Sequence, residues 1–451
     1  HDLAKLGYRV TVFESFPHGG GMLRYGIPAY RLPRDIIDFE IDLIKGLGVD
    51  IRYNVTVGKD VELKELMNDY SAVFLAAGAH DAVKLGIPGE DFKGLIHGST
   101  YMKNVNLGVD MGLKGKKLAV VGGGFTAMDV SRSAIRLGVT DSYILYRRTR
   151  GEIPVNEKEI MEAEDEKVQF NYLVSPQRIV SNDGVHLSGI ELIKNELGEP
   201  DASGRRRPVP VKGSEFILDL DFIVPAVSQA PDSRFIKKEG YSFAFNKWGN
   251  IDVDPESFET SVEGVFAAGD FLTGTRDVIN VIAEAHKVAI AIDKFIRRKE
   301  YRTERDVSYE TLSYPRKQNG YDAISRAYPG TIPLNDRVST FKEVENTFEI
   351  AEAVREGQRC LSCDHVWSHR ADECMVCANC EDVCPTNALS VPALDELTHN
   401  RHFNEGVPFT KMDTKPVLID RDLCVRCGLC EQTCPVHCIE FSRCNKQVTK
   451  V

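Results

Sequence analysis

The sequence predicts an α/β chain made of two Rossmann-like domains, one inserted in the other, followed by a small α+β domain. Three observations predict it. A strand, a Gly-rich turn and a helix follow one another over Lys117–Asp129. A strand running into small residues occurs twice, at Phe74-Leu-Ala-Ala77-Gly78 and at Val265-Phe-Ala-Ala-Gly269-Asp270, so one domain is left and later re-entered. Ten of the 12 cysteines lie at or after Cys374.

The first domain covers 1–95 and 245–300. His1–Glu14 reads as a helix end, a Gly turn and a buried strand over Val10–Phe13 that delivers Glu14. A carboxylate there accepts hydrogen bonds from ribose hydroxyls about 20 residues after a Gly-rich turn. An open Rossmann unit begins one strand and one such turn earlier, so the sequence is expected to be a fragment lacking its N-terminus and any targeting signal. In isolation Glu14 would be a surface residue at a strand end. Three segments add to it. Gly19-Gly20-Gly21-Met22-Leu23-Arg24-Tyr25-Gly26-Ile27-Pro28 is a Gly-dense loop whose backbone can approach a flat ring. Ala77 and Gly78 allow close packing on a dinucleotide. Gly269 and Asp270 lead into a helix around 278–296, where the Asp can bind hydroxyls and the helix start can face phosphate. The return to this domain is expected at Trp248-Gly-Asn250, a turn entering a strand.

The inserted domain covers 96–244. Its turn is G-x-G-x-x-A: Gly122-Gly123-Gly124-Phe125-Thr126-Ala127. Backbone N–H groups there approach a pyrophosphate, and the helix start adds positive potential. The next strand, 142–146, ends on Arg147-Arg148-Thr-Arg150 with no carboxylate. An NAD site places Asp or Glu at that point. Guanidiniums pair bidentately with phosphate, so Arg147 and Arg148 favour NADP(H), the plain alternative being a solvated basic loop. The acids of Gly151–Glu166 read as an exposed helix face rather than a catalytic pair, and 196–215 as a hairpin with a solvated Arg205–Arg207 triplet. Residues 301–358 read as a linker or surface wrap of 301–340, then a helix with an apolar stripe over Phe341–Arg355.

The last domain, 359–451, carries C-x2-C-x2-C-x3-C-P twice: Cys374, Cys377, Cys380, Cys384-Pro385 and Cys424, Cys427, Cys430, Cys434-Pro435. That is the ligand run of bacterial two-cluster ferredoxins, in which the fourth Cys reaches the other cluster. Cys374, Cys377, Cys380 and Cys434 thus hold one [4Fe–4S] cluster, and Cys424, Cys427, Cys430 and Cys384 the second. Structural zinc also uses C-x2-C but rarely this triple run. Cys360, Cys363, Cys438 and Cys444 are left over. Cys438 falls opposite Ala388 at the 50-residue offset and reads as a small hydrophobe, yet four spare thiols leave open a third site, zinc or a further iron–sulfur cluster. His365 is an alternative ligand, with surface exposure the plainer reading.

The totals agree with this reading. A length of 451 residues suits about three domains. Net charge −11 argues against nucleic acid and suits docking on basic electron-transfer surfaces, although solubility alone would explain it. No apolar run approaches the ~18 residues that span a bilayer. Clustered cysteines in a long chain read as cofactor ligands in a reducing compartment, which implies a cytoplasmic location.

The loop G-G-x-L-R-Y-G-I-P, the segment V-F-A-A-G-D and the turn G-G-G-x-T-A-M-D resemble the flavoprotein small (beta) subunit of glutamate synthase, within the wider disulfide-reductase-like group, over roughly residues 1–300. Phe125 replaces a residue that is often polar there. The resemblance implies FAD held by Glu14, the Gly20–Pro28 loop, Gly78 and Asp270. Arg359-Cys360-Leu361-x-Cys363 is also similar to the start of cluster-binding segments in the glutamate synthase and dihydropyrimidine dehydrogenase families. Flavin exchanges hydride pairs for single electrons, so no acid–base residue is required. The expected activity is an NADPH-dependent oxidoreductase subunit linking NADP(H), FAD, two clusters and a partner: another redox subunit or ferredoxin, in a hydrogenase, formate dehydrogenase or glutamate synthase type of complex. Two alternatives stand: an electron-bifurcating subunit, similar to the NADH-dependent ferredoxin:NADP reductase large subunit, and a non-catalytic wiring subunit.

Overall fold

A computed structural model describes the chain except for residues 201–204, 239, 247–249, 299–305, 312–323, 360–364, 392–416, 421–422 and 448–451. It divides into two compact units, His1–Glu300 with Thr331–Asn346, and Tyr301–Gly330 with Thr347–Val451.

In the first unit, β1 (Thr11–Glu14) pairs in parallel with β2 (Asp50–Tyr53), and β3 (Val73–Leu75) is followed by the short β4 (Asp81–Ala82). β5 (Lys117–Val121), β6 (Asp141–Tyr146) and β7 (Gln169–Tyr172) form a parallel sheet, which β12 (Phe222–Pro225) completes in the order β12-β5-β6-β7. Between β7 and β12 lies an antiparallel sheet in which β8 (Val174–Ser181), β10 (Arg206–Pro210) and β11 (Phe216–Asp219) all pair with the long β9 (Leu187–Pro200). β13 (Gln229–Ala230) pairs with β4, and β14 (Val265–Ala267) pairs in parallel with β3. Both faces of the β5 sheet are buried, which is why Leu118-Ala-Val-Val121 is an unbroken apolar run. One face packs on the helix Phe125–Arg136 through Met128 and Val130. The other packs on β9 through Ile190 and Leu192.

Leu85, Ile87, Phe92 and Leu95 pack on the core of Ala119, Val121 and Ile223, whereas Ile236 and Phe243 join Leu63, Leu75, Val265 and Phe271. The turn residue Trp248 lies outside the described residues.

The stretch 301–358 is not a simple linker. Residues 306–311 form β15, in the second unit. Thr331–Asn346 belongs to the first unit, where Val344 is 3 % exposed and donates its N–H to the Tyr30 carbonyl at 3.0 Å. The helix expected over Phe341–Arg355 is therefore confined to Ile350–Gly357. Its start is set by a capping box in which Glu349 and Glu352 bond each other's backbone N–H. Phe341 and Val344 satisfy their apolar surface without a helix.

In the second unit, β16 (His365–His369) precedes the short pair β17 (Leu389–Ser390) and β18 (Leu418–Ile419). β19 (Ile439–Gln447) lies between β15 and β16, both antiparallel to it. Among the described residues, no helix is long and apolar enough to cross a membrane.

Candidate dinucleotide and iron–sulfur sites

Gly78, Gly269 and Asp270 leave the same C-terminal edge of the parallel pair β3–β14, and Glu14 ends β1. That edge is where open α/β sheets bind ligands. Glu14 Oε1 accepts the Phe16 N–H at 2.8 Å. In the Gly-dense loop, Gly21–Tyr25 forms one short helix after Gly20, whose φ is +112°. Arg24 is turned inward, donating Nε–H to the Gly19 carbonyl at 2.8 Å and pairing with Asp38. Tyr25 stacks on Phe16 at 4.5 Å and is hydrogen-bonded to His18, while Met22, Leu23, Gly26 and Ile27 are half-buried and Pro28 is buried. Asp270 accepts the Arg276 N–H at 3.0 Å, and burial raises its carboxyl. His80, two residues past Gly78, meets the Phe16 ring edge-on at 6.0 Å, with Lys103 over the same ring at 5.5 Å. Sequence reasoning missed both because neither stands in a spaced motif.

The second turn follows β5 as expected. Gly122 has φ +140°, and a Cβ on it would strike the Ala226 carbonyl oxygen. A Cβ on Gly123 would lie 2.6 Å from the Tyr146 ring, whereas Gly124 faces open space. These glycines let the backbone come close to a phosphate while the turn packs tightly beneath it. Phe125 is half-exposed, Thr126 half-buried and Ala127 fully buried in the first turn of the helix Phe125–Arg136. Arg147 is exposed at the end of β6. Arg148 is 3 % exposed and donates Nε–H to the Arg206 carbonyl at 2.7 Å. Arg150 pairs with Glu157 at 2.6 Å and Glu164 at 2.5 Å. Of the three guanidiniums, Arg147 presents itself most openly to a ligand.

The acidic helix Glu157–Asp165 is not simply an exposed face. Glu166, just beyond it, is fully buried, accepting from Arg132 at 2.8 and 3.0 Å and from Arg136 at 2.6 and 3.0 Å. Arg31 makes a bidentate pair with Glu159 (2.7 and 2.5 Å) and bonds Asp129 at 2.5 Å. Arg132 also reaches Glu162 at 3.0 Å. Arg136 lies 4.0 Å over the ring of the buried Tyr30 and donates to the Thr340 carbonyl at 3.1 Å. Burial raises Asp129 to about 6, while in Glu159 and Glu166 the guanidiniums outweigh burial and hold the carboxyls low. This hub ties Tyr30–Arg31, two residues past the Gly-dense loop, to the helix carrying the second turn and to the segment 331–346. Its partners stand up to 204 residues apart, so no local spacing announces it.

The described cysteines line two cavities. Cys374, Cys377, Cys380 and Cys434 line one cavity. Cys424, Cys427, Cys430 and Cys384 line another. Both loops use left-handed backbone at equivalent positions: Val376 and Arg426, Ala378 and Gly428, Asn387 and His437. That conformation curls three cysteines around a common centre, and its recurrence at non-Gly residues shows that the surroundings enforce it. Burial pushes the Cys384 thiol up, but the N–H groups of Thr386, Ala388 and Leu389 outweigh it and leave the thiol below its usual value. Cys434 is lowered in the same way by the N–H groups of Cys438, Val436 and Ile439. The donor set, four convergent thiols with backbone N–H groups on the crossing one, fits a cubane cluster in each cavity.

Cys438 is the fifth thiol of the first cavity, 3.4 Å from Cys434. Burial and the neighbouring Cys434 push its thiol up. Six residues of chain, nearly all in β19, separate it from Cys444, roughly 20 Å when extended. Cys360 and Cys363 lie outside the described residues, as does the side chain of Cys444. His365 is buried rather than exposed, its carbonyl accepting from Arg426 at 3.3 Å.

The comparisons with known proteins agree with this layout. Residues 1–289 match the family model described as pyridine nucleotide-disulphide oxidoreductase, and residues 373–438 match that of a 4Fe-4S dicluster domain. The chain is 42 % identical to the NADP(+)-dependent formate dehydrogenase subunit beta of Moorella thermoacetica, over 81 % of this chain and 52 % of that protein. It is 33 % identical to the glutamate synthase [NADPH] small chain of Escherichia coli, over 64 % of each. It thus spans between half and two thirds of these relatives. FprA of Mycobacterium tuberculosis, solved in complex with NADPH, superposes with a TM-score of 0.56 at 19 % identity, covering 66 % of this chain and 81 % of that one, which shows a shared fold. The chain is an oxidoreductase with a 4Fe-4S dicluster domain, and it belongs to the pyridine nucleotide-disulphide oxidoreductase family.

Proposed function

We propose that the chain is an NADPH-dependent flavin/iron–sulfur subunit that passes electrons between NADP(H), FAD, two [4Fe–4S] clusters and a partner redox protein. One observation carries this reading: a dinucleotide turn followed by an exposed Arg, and two four-cysteine cavities, stand on one chain. The Gly122–Ala127 turn holds the pyrophosphate and Arg147 the 2′-phosphate, while Arg148 braces the strand end from beneath. Glu14, the Gly20–Pro28 loop, Ala77–Gly78 and Gly269–Asp270 line the FAD site. A bound flavin supplies the exchange of a hydride pair for single electrons. The chain's own residues position the cofactors, and the eight cysteines anchor the clusters. The hub at Tyr30 and Arg31 sets the flavin loop against the NADP(H) turn. The names of the relatives, subunits of formate dehydrogenase and glutamate synthase, support a place in a larger redox complex.

The test is anaerobic stopped-flow mixing with NADPH and, separately, NADH, following flavin absorbance. Fast bleaching by NADPH with slow bleaching by NADH is expected. Equal rates with the two would overturn the role of Arg147.

A further inference from the structure

One strand beside the two cysteine cavities carries buried ring nitrogens without a hydrogen-bond partner. β16 pairs with β19 so that His369 stands opposite Ile439, and Trp367 opposite Phe441. Ile439 lines the first cysteine cavity and Phe441 the second, so alternate rungs of this ladder face the two cluster sites. His369 itself lines the first cavity. Its ligand nitrogen and the thiol sulfurs of Cys374 and Cys438 all lie within 4.8 Å of one another. The Nε2 of His369 and the Nε1 of Trp367 are both buried, and neither closes a full hydrogen bond. Trp367 packs against the buried cluster that contains Cys430 of the second cavity. The two rings stack on each other at 5.9 Å and 19°, which fixes both orientations. A buried ring nitrogen without a hydrogen-bond partner is disfavoured, so a partner at each of these points would offset a real penalty.

We propose that His369 and Trp367 are positioning residues that donate N–H···S hydrogen bonds to the iron–sulfur centres, His369 to the first and Trp367 to the second. The proposal rests on the cluster reading above. Reduction adds negative charge to a cluster, and a hydrogen bond to its sulfur stabilises the more negative form, so each residue raises the potential of its own cluster.

The experiment is an EPR-monitored redox titration of the intact protein and of His369→Phe, His369→Gln and Trp367→Phe, each with its iron and sulfide content measured. His369→Phe is expected to lower one midpoint by about 59 mV, a tenfold change for a one-electron couple, and to leave the other in place. Trp367→Phe is expected to lower the other midpoint, and His369→Gln, which keeps an N–H donor, to recover most of the first. Unchanged midpoints at full iron content would overturn the proposal, as would both midpoints moving together in each variant. Loss of a cluster in both His369 variants would also overturn it, by making the residue a structural one. Fewer than two clusters in the unsubstituted protein would break the cluster reading instead.

Discussion

The cluster sites and the junction of the two Rossmann-like domains are built in opposite ways. At the clusters, three of every four ligands lie within seven residues of chain, and repeated left-handed turns aim them at one point. At the junction, Arg31 meets Asp129 and Glu159 across 98 and 128 residues, and Arg136 meets Glu166 across 30. Local geometry makes the first kind of site, whereas tertiary packing makes the second. Each should therefore fail without the other.

The largest effect expected is at a crossing cysteine. Cys434→Ala removes a ligand of the first cluster and should cost about half of the iron, read by iron and sulfide analysis. The first unit should keep its fold, measured by circular dichroism. Glu166→Gln attacks the junction instead. Removing one charge of a fully buried network leaves Arg132 and Arg136 without their shared partner, at about 3–5 kcal/mol in denaturant unfolding. Its iron content should match that of the unsubstituted protein. A variant that lost both would show that the two constructions are coupled.

A smaller effect is expected at Arg147, which lies in neither. Arg147→Ala should lower kcat/KM for NADPH by about 10–100-fold, the worth of one or two charge-assisted hydrogen bonds at about 1.5–3 kcal/mol, and leave NADH unchanged. A parallel loss with NADH would assign Arg147 to the fold. The smallest effect belongs to Cys438→Ala. Ala388 already fills the equivalent place at the other cluster, and both positions are buried, so both clusters should remain by iron analysis. Loss of iron there would make Cys438 a ligand and displace Cys434.

The same contrast explains what the sequence made legible. The eight-cysteine pattern and the turn at Gly122–Ala127 are local, so they can be read directly from their spacing. The place of Cys438 opposite Ala388 was foreseen from the 50-residue offset, with a third metal site left open. The buried roles of Glu159, Glu162 and Glu166 were not, because a helix rich in acids reads as solvated until its partners are known. The Arg147–Arg148 pair shows the limit within two residues. Both sit after the same strand, but Arg206, 58 residues on from Arg148, decides that Arg148 turns inward. The apolar stripe at Phe341–Val354 failed for a related reason: helical spacing is also met by a strap that packs Val344 on Tyr30.

The measurement that tests the central claim most directly is freeze-quench EPR after anaerobic mixing with NADPH, with optical traces recorded in parallel. Electron flow from NADPH through the flavin to the clusters predicts flavin bleaching first, and then the reduced-cluster signal at a matching or slower rate. Clusters that stay silent with NADPH yet reduce with dithionite, or that reduce while the flavin stays oxidised, would contradict it.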